Sequence, residues 1–150
     1  MLRQIARDEA RALVVLALVA GPLGAGALLF LSDGGVIQRP STASLHAVLL
    51  MILAAPVLEE LAFRGALLDL LQATLKRLGI SNVGPVTRAN LITSIGFAAC
   101  HLPYQSAPLA AAILLPSLLL GRMREITGSV LPCIVVHAWF NACFIAVFAR

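Results

Sequence analysis

Charge is what this chain has least of. Only 12% of its 150 residues are Asp, Glu, Lys or Arg, about half the share of a soluble globular domain. With 60% hydrophobic residues and a mean hydropathy of +0.96, that scarcity excludes an ordinary water-soluble fold. Cysteine is scarce as well: Cys100, Cys133 and Cys143 are odd in number and widely spaced, with no CxxC pair. Neither a disulfide framework nor a structural zinc knuckle is therefore supported. Cys133, His137 and Asn141 share one helix stripe, but side chains stacked along a single helix do not reach the angles a thiol nucleophile and its base require. Buried small hydrophobes are the better reading for such thiols. There is no HExxH, no internal repeat and no low-complexity tract. The missing repeat and the small number of helices argue against an ion carrier.

What is present is a series of long apolar runs. Crossing about 30 Å of hydrocarbon takes about 20 apolar residues. Such runs extend from about Leu13 to Leu31, Leu45 to Leu61, Leu91 to Leu102, Leu109 to Leu120 and Val130 to Ala149; the third and fourth are short and broken by polar residues or proline. The expected architecture is all-α: one domain over 1–150, a polytopic transmembrane bundle of about five spanning helices. Leu67, Leu68, Leu71, Leu75 and Leu78 lie at helical spacing opposite Asp69, Gln72, Lys76 and Arg77, a pattern that predicts an amphipathic helix in the membrane interface.

Ser32–Ser44 and Gly79–Arg88 read as linkers, with Thr87 or Asn90 capping the helix that follows. The basic start followed by an apolar run could be taken for a signal peptide. Asp8 and Glu9 within it, and a run longer than a signal core, favour a first spanning helix instead.

The basic residues fall in alternate loops. Arg3, Arg7 and Arg11 precede the first span, Lys76, Arg77 and Arg88 separate the second from the third, and Arg122 and Arg124 separate the fourth from the fifth. Positive loops mark the cytoplasmic side, so the N-terminus is expected there, in the inner (cytoplasmic) membrane. The net charge of +4 is accounted for by topology beside anionic lipid, and no nucleic-acid partner is implied.

Against this background a few polar residues stand out. Glu59 and Glu60 lie inside an apolar run with Arg64 four residues on. A charge in lipid costs at least about 2.5 kcal/mol, so such residues face a protein interior or a watery cavity and do chemistry there. His101 follows Phe97 by four residues in the third span, and Asn141 follows His137 by four in the fifth. Spacing of four puts each pair on one helix face. Three helices thus carry polar faces, and carboxylate, imidazole and amide are the groups that activate water and hold an oxyanion. Each element also has a plainer reading: Glu60 and Arg64 as a helix-surface ion pair, the histidines and Asn141 as interhelical packing contacts. His46 has no nameable partner and is read as structural.

The ordered set resembles the CPBP intramembrane proteases, the family that includes type II CAAX prenyl endopeptidases and bacteriocin-processing proteins. EExxxR matches Glu59, Glu60 and Arg64; FxxxH matches Phe97 and His101; the third motif, HxxxN or HxxxD, matches His137 and Asn141. The resemblance implies hydrolysis of a peptide bond within the membrane. In it Glu59 with His101 activates water, and His137 with Asn141 stabilises the oxyanion. Glu60 and Arg64 support them, and Phe97 shapes the wall behind His101. It further implies a membrane-anchored protein or peptide as substrate, in processing or sorting.

No cofactor is favoured. The alternative is a zinc enzyme drawing its ligands from Glu59, Glu60, His101 and His137. A zinc-dependent CAAX-type prenyl protease is the second alternative, although related enzymes commonly have more spanning helices. A non-catalytic immunity or membrane assembly factor with the same fold is a third.

Overall fold

The computed structural model describes residues 2–33, 44–80 and 86–148, and every regular element among them is helical. Five helices form the bundle. Helix α1 is Leu2–Asp33 and α2 is Leu45–Arg77. Helix α3 is Arg88–Ala99. Helix α4 runs over 107–127, as Ala107–Ala112 and Leu114–Thr127 about a break at Ile113. Helix α5 is Leu131–Phe148. Most of the first expected linker (34–43) and part of the second (81–85) lie outside the described residues.

Three of the five, α1, α2 and α5, are long and apolar enough to cross a membrane, so this is a multi-pass membrane protein. The other two expected spans are helical but shorter. Helix α3 has 12 residues, about 18 Å at 1.5 Å per residue. Helix α4 is interrupted where Pro116 would clash with the carbonyl of Ala112; the chain restarts at Leu114, leaving Pro116 in a first turn whose N–H groups need no helical acceptor. The amphipathic segment after Arg64 is not a separate interfacial helix. It is the end of α2, whose 33 residues reach about 50 Å, well beyond the hydrocarbon thickness. Nothing between Glu60 and Arg77 stops the helix, since Gly65 is absorbed into a wider turn.

Helix α2 is α-helical except in two places. Residues Leu50–Ala54 and Leu61–Leu67 are π-helical, flanking Ala55–Glu60. The first has a cause in the sequence. Ala55 N–H bonds to the Leu50 carbonyl, five residues back, and the next residue, Pro56, has no N–H to give. In the second, Leu68 N–H bonds to the Phe63 carbonyl. Such π turns recur at functional sites.

Packing divides into two kinds. Helices α1, α4 and α5 meet in an apolar cluster of Ala17, Leu120, Met123, Cys133 and Val136, with Leu13, Leu119 and Phe140 against it. Cys133 is buried there and its Sγ donates to the Leu120 carbonyl at 3.3 Å, in keeping with a small hydrophobe; Cys100 is exposed. Helices α3 and α4 instead meet through buried polar residues, Asn90, Thr93, Ser94 and Ser117. Asn90 Nδ2 donates to the Leu118 carbonyl and Asn90 Oδ1 accepts from Ser94. Polar and small residues are the usual adhesive between helices in lipid. Gly121 allows the approach: a Cβ there would lie 1.8 Å from Asn90 Oδ1. Thr87, not Asn90, caps α3, its side chain accepting from Asn90 N–H. Gly128, at φ 67°, closes α4 in the left-handed conformation that favours glycine.

Candidate active site

Glu59 and Glu60 lie on the α-helical turns between the two π segments, and their environments differ sharply. Glu60 is completely enclosed, whereas the Glu59 side chain is 34% exposed. Arg64, one turn on, is also completely enclosed and donates from Nη1 to Glu60 Oε1 at 2.9 Å. Two unscreened charges are costly to bury, and mutual pairing is what makes the burial tolerable.

The other motif residues converge on this pair from α3 and α5. His137 donates from Nδ1 to the same Glu60 Oε1 at 2.8 Å, and its Nε2 lies 3.7 Å from Glu59 Oε2. That last separation is too long for a direct hydrogen bond and is of the kind a bridging water serves. Phe97 fills the centre. Its ring lies 4.4 Å below the Arg64 guanidinium carbon, 4.8 Å from the His101 ring centroid and 5.7 Å from that of His137. Phe63 meets Phe97 edge-on at 5.0 Å.

His101 bonds through Nδ1 to the Phe97 carbonyl at 2.8 Å. A carbonyl can only accept, so Nδ1 carries a proton, and in the neutral ring Nε2 is left with a free lone pair. Asn141 stands one turn from His137, and its Nδ2 donates to the Met51 carbonyl at 2.8 Å. That carbonyl has lost its helical donor, because Ala55 N–H is diverted to Leu50. Pairwise contacts thus link Glu59, Glu60, Arg64, Phe97, His101 and His137 into one connected group, with Asn141 bonded to the backbone of α2.

Among the described residues no three His, Cys, Asp or Glu side chains are grouped so as to hold a metal ion. His137 spends Nδ1 on Glu60, and His101 spends Nδ1 on a backbone carbonyl across the Phe97 ring. His46 is exposed.

Some contributors carry no motif. Ser117 Oγ accepts from Arg64 Nη2 at 2.7 Å, and Arg124 Nε donates to the Arg64 carbonyl at 3.1 Å. For Ser117 a signal existed in Ser117-x-x-x-Gly121, a small-residue spacing that marks close helix contact. Arg124 is read from sequence as a topological marker, and nothing local distinguishes it from Arg122, which pairs with Glu9 of α1 at 2.6 Å.

No curated protein and no solved structure matches the chain at a significant level. Residues 41–143 match the family model of Type II CAAX prenyl endopeptidase Rce1-like proteins, a span containing all three motifs and more than half of the chain. The chain therefore belongs to the Rce1-like family of intramembrane proteases.

Proposed function

We propose that the protein is an intramembrane endopeptidase of the glutamic type, cutting a membrane-anchored protein or peptide near its anchor. The observation that carries this reading is the unlike burial of two adjacent carboxylates. Glu60 is enclosed and neutralised by Arg64, while Glu59 stays partly open 3.7 Å from His137 Nε2.

In the proposed reaction Glu59 takes a proton from water, helped by His101, whose Nε2 lone pair is free. The hydroxide oxygen attacks the scissile carbonyl carbon. With both ring nitrogens of His137 protonated, Nδ1–H stays on Glu60 and Nε2–H is left for the oxyanion. Asn141 has two N–H bonds and uses one on Met51, so the second can serve the same oxygen. Collapse of the intermediate breaks the C–N bond, and Glu59 returns its proton to the leaving amine. Phe97 keeps the histidines and Arg64 at fixed spacing and excludes bulk water. The protein would lie in the cytoplasmic membrane with its N-terminus in the cytoplasm, the site opening to that side, and would act in processing or sorting.

The test maps the ends of membrane-anchored proteins in cells carrying the wild-type chain or Glu59→Gln, His101→Ala or His137→Ala. Cleavage products made by the wild type should fall by about two to four orders of magnitude in each variant, while each variant still accumulates in the membrane. Identical products at wild-type levels in all three would overturn the reading, as would a wild type that produces none.

A further inference from the structure

Helix α4 grips Arg64 from both ends. On the side-chain end, Arg64 Nη2 donates to Ser117 Oγ at 2.7 Å and to the Ser117 carbonyl at 3.2 Å. On the main-chain end, Arg124 Nε donates to the Arg64 carbonyl at 3.1 Å, and Arg124 Nη2 pairs with Asp69 at 2.8 Å. Ser117 and Arg124 are two helical turns apart and so share a face. Ser117 is buried with only 1% of its surface exposed.

The main-chain contact answers a specific need. In an α-helix the Arg64 carbonyl would accept from Leu68 N–H, but that N–H goes to Phe63. Arg124 supplies the replacement donor. The side-chain contact answers another. A guanidinium can meet a carboxylate in several orientations; two acceptors on Ser117 select the one that puts Arg64 over Phe97 and Nη1 on Glu60.

We propose that Ser117 and Arg124 are positioning residues for the hydrolysis, a clamp on the π turn that acts through Arg64. The clamp fixes Glu60, Glu60 fixes the His137 ring, and the ring aims Nε2–H at the oxyanion position beside Glu59. This rests on the reaction proposed above. Misplacement of reacting groups by about 1 Å costs on the order of a hundredfold in rate, so a clamp this close has leverage on turnover without touching substrate.

The experiment uses the full chain in proteoliposomes with two fluorogenic probes, a peptide on a single unprenylated membrane anchor and a farnesylated CAAX peptide. Ser117→Ala and Arg124→Gln should lower kcat by about ten- to a hundredfold with KM unchanged. Arg124→Lys, which restores a cationic donor, should recover most of the loss, and Lys76→Ala should behave as wild type. In parallel, the Arg64 side-chain nitrogen signals, followed by ¹⁵N NMR in labelled protein, should shift in Ser117→Ala. Unchanged kcat in Ser117→Ala and Arg124→Gln beside an inactive Glu59→Gln overturns the clamp and leaves the protease reading standing. An active Glu59→Gln, or a wild type that cleaves neither probe, overturns the protease reading; unmoved Arg64 signals then overturn the clamp independently.

Discussion

The two π turns of α2 solve one problem with different residues. Each diverts an N–H and so strips a carbonyl of its helical donor, Met51 in Leu50–Ala54 and Arg64 in Leu61–Leu67. Each stripped carbonyl is then met by a side chain from another helix, Asn141 of α5 in the first and Arg124 of α4 in the second. The first cap belongs to a recognisable motif; the second is invisible to sequence. An orphaned carbonyl in a lipid-embedded helix is expensive, so the caps are requirements of the backbone as well as of the site. The glutamates sit between two places where α2 is pinned from outside, and this holds them at a fixed rotation.

Breaking the first pin should have the largest effect. Asn141→Ala removes the Met51 cap and a proposed oxyanion donor together, so cleavage should fall by about 10²–10³. Asn141→Leu, whose side chain has no N–H, should fare no better in the same assay; wild-type turnover in Asn141→Leu would show that neither N–H matters.

Gly121→Val attacks the second pin indirectly. Its side chain would strike Asn90 and push α4, with its clamp residues, away from α3. Overpacking of this kind costs about 1–3 kcal/mol, seen as a lower unfolding temperature in detergent.

Pro56→Ala sharpens the contrast instead. It returns an N–H to the first turn and should raise stability by about 1 kcal/mol while lowering turnover, a trade typical of sites that hold strain. Stability and turnover moving the same way would count against a π turn maintained for geometry. The smallest effect is expected at the rim, where Glu9→Ala removes a half-exposed pair with Arg122 and should cost under about 1 kcal/mol, read from the same melting curve.

The sequence disclosed the helical membrane class because hydropathy is additive along the chain. The motif residues were legible for a similar reason: polar side chains are conspicuous in apolar runs, and spacing of four places them on a common face. Span lengths were less legible, because Pro116 and the end of α2 act through geometry that a hydropathy count does not see. Asn90 looked like a cap and is a buried hydrogen-bonded contact between α3 and α4. Arg124 looked like a topological marker, since a charge at a helix end has the same sequence signature whether it faces lipid headgroups or a backbone carbonyl. The division between Glu59 and Glu60 could be proposed from the motif but only located in three dimensions.

The buried polar row on α3 has a consequence for how the protein is made. Asn90, Thr93 and Ser94 are buried, with Asn90 bonded to the Leu118 carbonyl of α4, and at 12 residues α3 is too short to cross the hydrocarbon by itself. Burial of that row against α4 keeps its polar groups from lipid, so α3 depends on α4 for its place in the bilayer. A single misfitting residue in that row would open polar groups to lipid, a fault of assembly and not of the site.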